Sequence, residues 1–151
     1  LGNALDPELW SVVFWHALAR GYQPTFWTKG SIPKTEHYSV LRPEVPVAGH
    51  PQGGTSRDFM SLLAQVDRVV IAGEAETHCV LETREDLVEV YGDAPEMLSR
   101  LYILRDCTSP VRHPSLDFHA MAERRFGEIA RRGVRFQIHT ESIEGRTARC
   151  A

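Results

Sequence analysis

The chain has 151 residues, 42% of them apolar, and a formal charge of −3 at neutral pH, which fits one domain with a single core and provides no basic stripe for a phosphate backbone. No apolar run reaches the roughly 20 residues that span a bilayer, so neither nucleic acid nor a membrane is an expected partner, and a small molecule is. Three cysteines, at positions 79, 107 and 150, are odd in number and lack CxxC spacing, which excludes a disulfide framework and a thiolate zinc site and points to a reducing compartment, the cytoplasm.

Asp6, Pro7 and Glu8 read as an N-cap, a proline at the first helical position and an acid in the first turn. Leu9, Trp10, Val13, Phe14, Ala17 and Leu18 follow at helical spacing, and Gly21 stops the helix. Residues 25–28 are a β-prone run after Pro24, expected to deliver Lys29 and Gly30 at the carboxyl end of a strand. A Pro- and Gly-rich loop runs through Gly54. Thr55 with Asp58 then predicts a capping box for a second helix bearing Phe59, Leu62, Leu63 and Val66 on one face. Val69, Val70, Ile71 and Ala72 form a continuous apolar run, expected to be the central strand. A third helix is predicted from Cys79 to about Tyr91, its apolar stripe interrupted by Thr83 and Arg84. Residues 101–104 predict another buried strand. Residues 115–132 predict a helix with Ala122, Phe126, Ile129 and Ala130 inward and Gly133 as its stop, and residues 134–138 predict a last strand. Helices alternating with short strands imply an α/β fold with a parallel sheet flanked by helices on both faces, and ligands at the carboxyl ends of the strands. The tail from residue 141 is polar and expected to be mobile.

Cys79 follows a short loop that leaves a strand and stands at a helix start, where unpaired N–H groups and the helix dipole favour a thiolate. Lys29, at the end of another predicted strand, is the candidate cation beside it. The ordinary reading of a free cysteine, a small buried hydrophobe, stands against this. Among the remaining histidines, His16, His37, His50, His113, His119 and His139 are scattered without ligand spacing and read as surface or hydrogen-bonded residues.

The run Gly73-Glu74-Ala75-Glu76-Thr77-His78-Cys79-Val80, with Thr83, resembles the nucleophile turn of nicotinamidases and related isochorismatase-like cysteine hydrolases. Lys29-Gly30 followed by Tyr38-Ser39 is similar to that family's lysine segment, and Asp106 to an acid found after its next strand. The resemblance implies a Rossmann-like three-layer fold and a mechanism in which Cys79 attacks a carboxamide, loses ammonia and is released from a thioester by water, with Lys29 assisting. It also implies a cis peptide bond between Glu74 and Ala75, an oxyanion hole formed by the N–H groups of Ala75 and Cys79, and a pocket bordered by Tyr38; His78, as the neighbour of Cys79, is the other expected pocket residue.

Two parts of the family pattern are missing. No aspartate matches the general base at the end of the family's first strand, since Asp6 reads as a helix cap, and no Asp-x-His metal segment is present. The expectations are therefore no metal ligands in this chain, a divalent metal only if an amino-terminal segment supplies them, and an aspartate base from outside this sequence. With no initiator Met before Leu1-Gly2-Asn3, residues 1–151 are expected to be one domain forming the carboxyl-terminal part of a larger hydrolase domain. An amino-terminal segment or companion chain would complete the sheet, and an oligomer is the expected assembly. The alternative is a non-catalytic fragment or degenerate member acting as a binding or assembly subunit. Thiol redox chemistry is disfavoured because Cys107 is far from Cys79 in the chain.

Overall fold

The computed structural model describes residues 5–92 and 94–138; the expectations placed on residues 1–3, His139, Cys150 and the tail from 141 fall outside them. The chain divides at residue 28 into two compact units.

The first unit is one helix and the segment after it. Helix α1 (Pro7–Arg20) starts where Asp6 Oδ1 accepts the N–H groups of Glu8 at 2.9 Å and Leu9 at 3.3 Å, which satisfies donors that a helix start leaves without partners. It ends at Gly21, whose φ of 63° is the left-handed conformation a helix stop requires. Trp10 packs on Phe26 with ring centroids 5.9 Å apart, and a groove of about 570 Å³ runs between α1 and residues 21–26. No residue of α1 is buried. The strand predicted at 25–28 does not form. A β-prone run becomes a strand only where a neighbour takes its N–H and C=O groups, and no described strand pairs with it.

The second unit holds the sheet. Strands β1 (Val69–Ile71), β2 (Leu101–Leu104) and β3 (Arg135–Gln137) are parallel in the order β1-β2-β3, with Val69 opposite Leu101 and Tyr102 opposite Arg135. The run expected to be central is thus an edge strand among the described residues. The centre is β2, whose Leu101, Tyr102 and Ile103 are at most 3% exposed, whereas Val70 of β1 is 46% exposed. Position in the sheet follows from which edges are paired, and both runs read alike as continuous buried-type strands.

Parallel neighbours need crossover connections, which helices supply. Helices α3 (Leu81–Val90) and α4 (Pro95–Leu98) join β1 to β2, and α5 (Phe118–Arg131) joins β2 to β3. Helix α4 was not predicted; it has four residues and starts on a proline. Ahead of the sheet lies α2 (Arg57–Ala64), capped by Ser56 rather than Thr55, with Ser56 Oγ accepting the Phe59 N–H at 3.3 Å. Helix α5 starts three residues later than predicted, where Asp117 accepts the Ala120 N–H at 2.9 Å. Ala122, Phe126 and Ile129 of α5 point inward as expected, but Ala130 is exposed, one position past the stripe. They pack with Leu81, Leu87, Leu98 and the β2 side chains into one apolar core. No helix among the described residues is long and apolar enough to cross a membrane.

Candidate active site

β1 runs out through Ala72 to Gly73, whose φ of 114° is one that side chains rarely adopt. Gly73 N–H donates to the Cys107 carbonyl at 2.8 Å, tying this turn to the loop after β2. The next peptide bond, Glu74–Ala75, is cis. Glu76–Val80 then form a π-helical turn that leads directly into α3, with the Val80 N–H reaching back to the Ala75 carbonyl at 3.1 Å. Cys79 lies in this turn, half-buried, two residues before α3 begins. The loop after β2 clamps the turn twice more: Glu76 N–H donates to the Ser109 carbonyl at 2.8 Å, and Val111 N–H to Thr77 Oγ1 at 3.1 Å.

Lys29 reaches the same place from fifty residues upstream. Its Nζ donates to the carbonyls of His37, at 3.0 Å, and Tyr38, while the Gly30 N–H donates to His37 Nδ1 at 3.3 Å. Burial, and then the charge of Lys29, push the His37 imidazole below its ordinary value, in keeping with a ring whose Nδ1 must stay unprotonated to accept. Lys29, Tyr38, Glu74 and Cys79 line one cavity of about 300 Å³. Its apolar wall comes from Phe59 and Leu63 of α2, β1, and Leu87 of α3.

Of the residues singled out from sequence, Cys79, Lys29, Tyr38, Glu74 and Thr83 meet at this cavity. Thr83 also accepts the Val40 N–H on Oγ1 at 3.1 Å, fixing the loop beyond Tyr38 to α3. Glu74 is the one carboxylate in the lining, and its Oε2 accepts from Ser109 Oγ at 2.7 Å. His78 is not in the lining: its ring stands 5.8 Å from Tyr38 and 5.1 Å from Phe118, with Nδ1 2.8 Å from Thr77 Oγ1. Asp106 sits in the short turn after β2, beside Cys107. Burial and the Asp106 charge push the Cys107 thiol up, so Cys107 is the less nucleophilic kind of cysteine.

The expectation of no metal ligands in this chain is overturned. Glu76, His119 and Glu123 place ligand atoms within 4.8 Å of one another, a set of two carboxylates and one imidazole able to hold a metal ion. The sequence signal is His119 and Glu123 four apart on α5, which puts both on one helix face; the third ligand arrives from the Cys79 turn and has no sequence signature. Each of the three residues is engaged. Glu76 Oε1 lies 3.1 Å from His119 Nδ1, Glu76 Oε2 accepts from Thr108 Oγ1 at 3.2 Å, and Glu123 pairs with Arg105. An ion bound there would share these atoms with Thr108 and Arg105.

The described residues thus form a parallel α/β sheet with a cysteine on the turn after β1. No family model matches the sequence, and no curated protein matches it. Among solved structures, the yeast nicotinamidase Pnc1p superposes with a TM-score of 0.54 over 83% of this chain and 50% of its own, at 17% identity. The Pyrococcus horikoshii pyrazinamidase, solved in complex with zinc, gives 0.48 over 74% and 49% at 24% identity. An Acinetobacter baumanii nicotinamidase/pyrazinamidase gives 0.45 over 69% and 42% at 17% identity. The chain therefore shares the fold of the yeast enzyme and spans half of that enzyme's length.

Proposed function

We propose that this chain carries the nucleophile of a cysteine amidohydrolase acting on a small carboxamide, as the yeast nicotinamidase of the same fold does by name. The observation that carries the reading is that Cys79 and Lys29, remote in sequence, line one apolar-walled cavity where β1 ends. Cys79 Sγ attacks the amide carbonyl carbon while its proton passes to a base, and the N–H groups of Ala75 and Cys79 take the developing oxyanion. The C–N bond then breaks, ammonia leaves with that proton, and water hydrolyses the thioester to the acid and the free thiol. Lys29 provides the fixed positive charge beside the thiol.

The base in this reading is an aspartate from outside the sequence, carried on a strand that pairs with the edge of β1 that no described strand occupies and is supplied by an amino-terminal segment or a companion chain. The exposure of Val70 on that edge, and an apolar cavity that runs the length of β1, support such an addition. The opposing reading, a non-catalytic binding subunit, draws on one observation: the lining's single carboxylate, Glu74, is held by Ser109.

Iodoacetamide labelling at pH 7, with Cys107 as internal reference, separates the two, together with ammonia release from nicotinamide and pyrazinamide by the chain assembled with the segment or companion chain that supplies the base, measured against Cys79→Ala in the same assembly. Faster labelling of Cys79 and ammonia release lost in the variant are expected. Equal labelling of both cysteines and no ammonia above the variant would leave the binding subunit as the function.

A further inference from the structure

Two charged side chains that the cavity does not use are buried on either side of Cys79 in sequence: Glu76, three residues before it, and Arg84, five after, at 4% and 2% exposure. Buried charges are costly unless paired, and well-packed apolar residues of similar volume often do as well or better for stability. Their presence next to the turn that carries the candidate nucleophile calls for another role.

The contacts say what they fix. Glu76 is joined through Oε2 to Thr108, through Oε1 to His119 on α5, and through its backbone N–H to Ser109. One carboxylate thus connects the Cys79 turn to the loop after β2 and to α5. Arg84, on α3, is buried with its guanidinium 4.5 Å over the Phe126 ring and 5.7 Å from that of Phe136, and its Nε has no hydrogen-bond partner among the described residues. Burial pulls the guanidinium down to about 10, and Glu76 is the leading influence in the other direction, so Arg84 is still charged at neutral pH. Glu123 acts on it with the same sign as Glu76, and Arg105, paired with Glu123, with the opposite one. Apolar contacts fix a helix loosely in rotation and sliding, whereas a carboxylate with directional partners and a guanidinium seated on aromatic rings admit one register.

We propose that Glu76 and Arg84 are positioning residues for Cys79: Glu76, bonded to Thr108 and His119, and Arg84, seated on the Phe126 and Phe136 rings, set the register of the turn and of α3, and so aim the thiol and the Ala75 and Cys79 N–H groups into the cavity. This rests on the amidohydrolase reading for its catalytic meaning but not for its measurement, because thiol alkylation needs no amide substrate.

The test compares iodoacetamide rates at Cys79 and Cys107 across pH 6–9 in the whole chain, alongside urea unfolding, for Glu76→Gln, Glu76→Asp, Arg84→Met and the double variant Glu76→Gln/Arg84→Met. Glu76→Gln keeps the shape and most hydrogen bonds but removes the charge. It is expected to slow Cys79 about tenfold with Cys107 unchanged, as misplacement of a reacting group by a fraction of an ångström does. Glu76→Asp is expected to recover most of the rate. The double variant is expected to unfold at no lower urea concentration than Arg84→Met alone and still to react slowly at Cys79. His119→Ala, at a half-exposed site, keeps the test available if the buried variants fail to fold, and is expected to slow Cys79 about threefold. Cys79 rates equal to wild type in folded variants would overturn the proposal. If ammonia release is never seen while Cys79 still depends on the pair, the amidohydrolase reading fails and the positioning role stands. If the variants keep wild-type kcat, the positioning role fails alone.

Discussion

Helices α1 and α3 invert the usual relation between composition and burial. α1 carries Leu9, Trp10, Val12, Phe14, Trp15 and Leu18 and buries none of them, while α3 buries Arg84 and Asp86 together with Leu81, Leu87 and Val88. A helix apolar all round belongs in a core, yet burial depends on what packs against a face. α3 has such neighbours on several sides: the Cys79 turn, α5, and the 38–42 loop, where Arg42 pairs with Asp86 and Glu89. Its charges are held by partners, and its stability therefore depends on specific side chains in a way that α1 does not.

The sharpest way to break this comparison is Arg84→Ala, which empties a buried position and leaves Phe126 and Phe136 without their packing partner. A loss of about 2–5 kcal/mol is expected in urea unfolding from the cavity left behind, and a loss below about 1 kcal/mol would show that the buried Arg84 carries little energetic weight. Acid comes next. The folded state holds His37 below its ordinary value, so the unfolded chain takes up the proton first and stability falls as pH drops below about 6.5. Lys29 and Asp86 act on this ring in opposite directions. The urea midpoint is expected to fall between pH 7.5 and 5.5 by more in wild type than in His37→Gln; equal falls would assign the effect to other groups. On α1, Asp6→Ala removes the cap and is expected to cost about 1 kcal/mol of helix stability, read by hydrogen exchange at Glu8 and Leu9. Smallest of all is Trp15→Ser, at a side chain 66% exposed, expected to stay within about 0.5 kcal/mol of wild type. A larger loss there would mean that the apolar face of α1 is covered in solution.

Much of the fold was legible because its signals are local. Asp6, Pro7 and Gly21 bound α1 as their chemistry requires, and the continuous apolar run at 101–104 is β2 to the residue. The strand at 25–28 and the central place given to residues 69–72 failed for one reason: both depend on pairing, which no single segment encodes. The site divides the same way. The turn around Cys79 and the lysine segment could be read from spacing and resemblance, and the fold brings them to one cavity. Arg84 registered only as a gap in an apolar stripe, and the Glu76, His119 and Glu123 cluster not at all, because its members come from two separate elements and only the His119–Glu123 spacing is written along the chain. A charge inside an amphipathic pattern is a sign that a partner exists elsewhere; it does not say where.

The edge of β1 also governs how the purified material would behave. Val69, Val70 and Ile71 form a short apolar strand with one ladder of N–H and C=O groups engaged by β2 and the other turned toward no described strand. Such an edge is a template for any extended chain, including another copy of itself. Self-association that rises with concentration and recedes when Val70 is replaced by lysine is the colloidal signature expected of it.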